Sequence, residues 1–134
     1  MARWSWLAAL ALAAAACGGE PEPGPDTAAP KVVRTEPADG AVGVECGAKI
    51  RAWFDEPVDN QRIVWDDQLH LVREDGASLY GNGSYDLQEY RATLSLAMDL
   101  LPGQTYQAVL EPRICDLAGN CITQPIRWSF AVAN

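Results

Sequence analysis

The chain has 134 residues, with 18 acidic side chains against 10 basic ones and a formal charge of −8. That length suits one domain with its own core, and the acid excess makes nucleic acid a poor partner. His70 is the only histidine, so this chain alone cannot assemble a Ser-His-Asp triad or a multi-histidine metal centre; no cofactor and no enzyme activity are expected.

The N-terminus reads as an export signal over residues 1–16. Arg3 precedes a nearly unbroken apolar run from Trp4 to Ala16, the charged and hydrophobic regions of a signal peptide. The run is much shorter than the ~20 residues a membrane-crossing helix needs. It closes on Ala14-Ala15-Ala16-Cys17-Gly18-Gly19, which resembles the bacterial lipobox. The resemblance implies cleavage before Cys17, acylation of its sulfur and new amino group, and a membrane as partner through the lipid anchor. Several acyl chains, at ~0.8 kcal/mol per buried methylene, make such an anchor effectively permanent. Gly18, where an Asp would retain a lipoprotein of this kind, implies an outer-membrane location. Losing Arg3 with the leader takes the formal charge from −8 to −9.

Residues 17–30 form a tether. Pro21, Pro23, Pro25 and Pro30 sit among Gly, Glu and Asp with no large apolar side chain, so the segment cannot offset the entropy of ordering and is expected to be an extended spacer. Residues 31–133 then show the two-residue period of strands. In chain order the candidates are Lys31 to Thr35, Ile50 to Phe54, Gln68 to Arg73, Ser78 to Asp86, Tyr90 to Leu96, Tyr106 to Leu110 and Ile126 to Val132. The last is the clearest, with Ile126, Trp128, Phe130 and Val132 alternating against Arg127, Ser129 and Ala131. Asp59 to Asp66 is the one segment expected to have helical character, as a single turn that carries the chain between sheets. Turn residues separate the strands at Pro37 to Gly40, Asp55 to Pro57, Glu74 to Gly76, Gly81 to Gly83, Leu101 to Gly103 and Leu117 to Asn120. About seven short strands so punctuated predict an all-β sandwich of two antiparallel sheets.

Cysteine usage fits an exported chain, because disulfides persist outside the cytoplasm. With Cys17 acylated, three remain. Cys115 and Cys121 bracket a turn that brings them face to face. Cys46 is then either buried and free or a partner in place of one of those two.

The motif order carries a family resemblance. Pro30-Lys-Val-Val-Arg-Thr-Glu-Pro-Ala-Asp-Gly-Ala-Val-Gly-Val44 is followed by Ile50-Arg-Ala-Trp-Phe-Asp-Glu-Pro-Val-Asp59, Leu100-Leu-Pro-Gly-Gln-Thr-Tyr106, Asp116-Leu-Ala-Gly-Asn120 and Trp128-Ser-Phe130. The series resembles bacterial Ig-like domains of the SbsA type, the Big-5 family, and implies an immunoglobulin-like sandwich. Each piece also has a physical use. Gly40 is free to take positive φ, Pro57 ends a strand, and Tyr106 just after a turn is placed for a tyrosine corner. All are scaffold devices, so the resemblance speaks to fold more than to function.

Candidate sites are sparse. His70 alternates with Leu69 and Leu71 and is expected to face solvent. Asp55, Glu56, Asp59, Asp66 and Asp67 are oxygen ligands of the kind calcium takes, but they lack the EF-hand spacing and read as solvated loop acids, so no metal site is assigned. No pair of carboxylates is singled out for hydrolytic work. Trp128 fits the buried face of the last strand, which leaves Trp53 and Trp65 as exposed aromatics able to contact a ligand; Trp53 lies on the opposite strand face from Ile50, Ala52 and Phe54. The sequence therefore predicts a non-enzymatic exported lipoprotein with a single Ig-like domain and a structural or adhesive task at the cell envelope. The alternative is an envelope module that binds glycan or peptide. An envelope protein or a glycan is the expected partner class.

Overall fold

The computed structural model describes residues 27–134; the leader, Cys17 and the tether through residue 26 lie outside the described residues. Among the described residues the strands are β1 Val32–Glu36, β2 Ala41–Val44, β3 Ile50–Phe54, β4 Leu69–Arg73, β5 Ser78–Leu79, β6 Asn82–Asp86, β7 Arg91–Ser95, β8 Thr105–Leu110 and β9 Ile126–Val132. A single helical turn, α1, spans Trp65–Gln68. The strands form a four-stranded sheet in the order β1-β3-β7-β6 and a five-stranded sheet in the order β2-β9-β8-β4-β5. These are the two packed layers of an immunoglobulin-like β-sandwich.

Period-two alternation builds the core. In β3, Ile50, Ala52 and Phe54 point inward while Arg51 and Trp53 point out. Ala52 sits opposite Ala92 on β7, and on the other sheet Ala108 lies between Leu71 and Trp128. Small residues at these facing positions leave room for Phe54, Tyr106, Trp128 and Phe130 to interdigitate between the layers. Tyr106 does form the tyrosine corner: its hydroxyl accepts from the Leu101 backbone N–H at 2.9 Å.

The chain crosses between sheets early. The turn after β1 uses Gly40 at φ +84°, and it is fastened to β9 from both sides: Gly40 N–H donates to Ser129 O at 2.7 Å and Ser129 N–H donates to Asp39 Oδ1 at 3.0 Å. β2 then runs parallel to β9, with Ala41 opposite Phe130 and Val44 opposite Val132. This corrects two expectations. One ladder is parallel rather than antiparallel, and Ala41–Val44 is a strand although its four residues carry too little alternation to reveal it. The expected strand over Ser78 to Asp86 is also two strands in different sheets, broken at Tyr80 and Gly81.

In the segment where a single turn was expected to carry the chain between sheets, a 3₁₀ turn at Asn60–Arg62 does so together with α1 at Trp65–Gln68, which extends past Asp66. α1 lies directly on β6 because Gly83 has no side chain; a Cβ there would stand 2.3 Å from the Trp65 carbonyl. At the start of the domain, Ala29 packs against the core and Pro30 is buried, so the last two residues given to the tether are already part of the sandwich.

Candidate functional site

The outer face of the four-stranded sheet holds the most organised group of polar side chains. Because successive side chains alternate across a strand, the register sets two rows on that face. Arg34 of β1 stands beside Trp53 of β3, then Arg91 of β7, then Asp86 of β6. The second row is Glu36, Arg51, Thr93 and Ser84. A bulge between Val32 and Arg34 brings Arg34 into this register; without the extra residue it would fall on the other face.

The rows are joined by charge. The Arg34 guanidinium lies over the Trp53 ring at 4.3 Å from its centroid, and that of Arg91 is 5.9 Å away, both within cation–π range. Glu36 is shared, pairing with Arg34 at 2.5 Å and Arg51 at 3.4 Å. Asp86 pairs with Arg91 at 3.2 Å. Its carboxyl is held below the usual carboxylate range, chiefly because the Gln88 and Glu89 backbone N–H groups donate to it, with Arg91 adding attraction. Arg51 Nε and Arg91 Nε are buried without a hydrogen-bond partner.

Trp65 is not an exposed ligand contact; this corrects the sequence expectation. It is 6% exposed, its ring is stacked on Tyr85 at 5.3 Å with an interplanar angle of 5°, and Phe54 flanks it at 6.3 Å. Its Nε1–H donates to Asn60 Oδ1 at 2.6 Å, which satisfies the polar end of the buried indole. Trp65 therefore closes one end of the core. Burial also pushes the Tyr85 phenol above its ordinary range, against the opposing hydrogen bond from the Val58 N–H.

His70 is a second correction. Alternation puts it on the outer face of the five-stranded sheet, opposite Val109, yet it is 6% exposed rather than solvated. Tyr80 lies across it, with ring centroids 4.9 Å apart, and Glu111 Oε2 is 3.5 Å from Nε2. Outward is not the same as open when a neighbouring loop folds over the sheet.

The loop acids go to separate local tasks. Asp55 Oδ1 accepts from the Lys31 N–H at 2.9 Å, Asp59 pairs with Arg62 at 3.4 Å, and Asp66 Oδ1 accepts from the Gly83 N–H at 2.6 Å. Among the described residues no group of three or more His, Cys, Asp or Glu is gathered as a metal would require. Cys115 and Cys121 are bonded to each other and Cys46 is free. Inside that loop Asp116 is buried and accepts from the Ala118 N–H at 2.9 Å and the Asn120 N–H at 2.8 Å, so its carboxylate holds the turn.

Sequence reasoning picked out Trp53 but missed Arg34, Arg51, Arg91, Glu36 and Asp86 around it. Parity could have placed Arg51 and Arg91 outside. The partners across the strands needed the register, which parity does not give.

The architecture defines an immunoglobulin-like sandwich, and the family follows from the sequence: a model of the bacterial Ig-like domain Big_5 matches residues 26–132. The chain belongs to that family. Among solved structures, the S-layer protein SbsC contains a similar fold, with a TM-score of 0.58 and 19% identity over 79% of this chain. This chain corresponds to 14% of that SbsC structure. CopC from Methylosinus trichosporium OB3b superposes with a TM-score of 0.61 at 13% identity, covering 78% of this chain and 93% of its own. PcoC, a methionine-rich copper resistance protein from Escherichia coli, gives 0.58 at 14% identity, covering 78% and 99%. At these identities the likeness is one of fold. A search of curated protein sequences found no match.

Proposed function

We propose that the chain is a non-enzymatic exported lipoprotein that displays its Ig-like domain at the cell envelope from a lipid on Cys17, anchored in the outer membrane, with a structural or adhesive task. The observation that carries this reading is a juxtaposition. A leader-like segment ending in Ala14-Ala15-Ala16-Cys17 stands a few residues before the Big_5 match, which begins at residue 26. The occurrence of a similar sandwich in an S-layer protein supports a surface setting.

The non-enzymatic part rests on what the reactive side chains do. His70 is stacked beneath Tyr80 and Asp116 holds a turn, so both are committed to the scaffold. The methionine-rich character named for PcoC is not carried over, since this chain has two methionines. Cell fractionation of Cys17→Ala against the wild type tests the anchor: the variant is expected in the soluble fraction and the parent in detergent-extracted membranes. Equal membrane retention of both proteins counts against lipidation.

A second reading, ligand binding to glycan or peptide, keeps Trp53 and loses Trp65. The two guanidiniums on the Trp53 ring are the observation that favours it.

A further inference from the structure

The face around Trp53 has the wrong sign for its chain. The protein carries a formal charge of −8, yet Arg34, Arg51 and Arg91 converge here against two carboxylates, Glu36 and Asp86. Glu36 is divided between two guanidiniums, so positive charge remains in excess. The three side chains stay accessible, at 61%, 36% and 28% of their side-chain surface. Arg51 Nε and Arg91 Nε are buried, so it is the outer ends of these guanidiniums that a ligand would meet.

The guanidiniums are also preset. Trp53 supports Arg34 on its ring face and Arg91 beside it, and the bulge in β1 fixes the backbone that aims Arg34. Ordering arginine side chains is a main cost of binding, and here the indole has met part of it. The backbones of Arg34 and Arg91 lie on strands with β3 between them, about 10 Å apart by the usual strand spacing, so the positive charge is laid out as a row rather than gathered at one point. Such a spacing suits acid groups that recur along an extended polymer better than one small acid. Peptides are commonly taken at sheet edges or in grooves, whereas this row crosses the middle of a pleated face, where Thr93 and Ser84 add hydroxyls.

We propose that the outer face of the β1-β3-β7-β6 sheet binds a carboxylate-bearing polysaccharide of the uronic-acid class through the guanidiniums of Arg34, Arg51 and Arg91 arrayed around Trp53. Carboxylates meet arginine forks with charge-assisted hydrogen bonds. The proposal gives the adhesive reading a partner class, and it relies on the envelope location only for access to such a polymer.

The test is calorimetric titration of the full chain, as isolated from cells in neutral detergent, with polygalacturonate. Binding is expected, weakening as salt rises, with Arg34→Gln and Arg91→Gln each lowering affinity about tenfold. Arg127→Gln, on the outer face of the opposite sheet, should leave it unchanged, and matched thermal melts should show all three variants folded. Failure to bind polygalacturonate would overturn the proposal. So would equal affinity for its methyl ester or for polyglutamate, or an Arg127→Gln loss as large as the other two. Acylation of Cys17 is read separately, so a negative titration leaves the lipoprotein reading standing.

Discussion

At the tip of the β4–β5 hairpin, Arg73 donates to Asp75 from Nε at 3.1 Å and from its terminal nitrogen at 2.6 Å, and the Ala77 N–H adds a third bond at 3.0 Å. These bonds, the arginine's first, lower the Asp75 carboxyl from 3.8 to about 2. Since the folded value lies below the ordinary one, the ionised pair favours the folded state above the ordinary carboxylate range, and that contribution fades as pH falls through about 2. An NMR titration of the Asp75 carboxyl carbon should give a midpoint near that value, and Arg73→Gln should raise it toward the ordinary range. A wild-type midpoint already in the ordinary range contradicts the geometry. The same scale explains why two aromatics that look alike in sequence part company. Trp53 lies in an alternating strand, so its outward position was legible. Trp65 follows an irregular segment with no period to read, and its burial is settled by Tyr85 and Asn60 from elsewhere in the chain. His70 had the right parity, but the Tyr80 ring that covers it belongs to a residue just beyond β5 whose placement is tertiary.

Among elements, α1 and the disulfide loop are the ones held by few, specific contacts. Removing the Trp65 indole leaves a void between Phe54 and Tyr85 and an unpaired Asn60, so Trp65→Ala should cost about 3–5 kcal/mol in a urea titration. Trp53→Ala, on the outer face, should cost within about 1 kcal/mol; equal losses would mean the two indoles have been misplaced. Cys115 and Cys121 are six positions apart, a short loop worth about 2.4 kcal/mol by chain entropy. The double variant Cys115→Ser, Cys121→Ser should lower stability by that order, and an unchanged urea midpoint would show that the Asp116 hydrogen bonds hold the loop alone. Strands β3, β8 and β9 were legible because each has one buried and one wet face. β2 was hidden by its brevity, and the break between β5 and β6 by the fact that a change of sheet leaves no mark on local alternation.

Over the whole molecule, the splitting of the N-terminal strand pair across both layers fastens the sandwich at its open side. β1 completes one sheet, β2 completes the other, and the Asp39-Gly40 turn is pinned to Ser129 between them. The two-layer architecture could be read from strand periodicity and turn spacing, and the motif order pointed to the Big_5 family to which the chain belongs. The parallel β2–β9 ladder could not, because strand direction depends on where the chain goes after Gly40. Nor could the arginine face, which exists only once four strands are aligned in register. The proposed lipid at Cys17 would hang this scaffold from the envelope. Intact-mass spectrometry of the protein recovered from its native cells tests it most directly. The expected species is a polypeptide beginning at Cys17 whose first residue carries the added mass of acyl chains; a chain that still begins at Met1, with an unmodified Cys17, would overturn the lipid anchor.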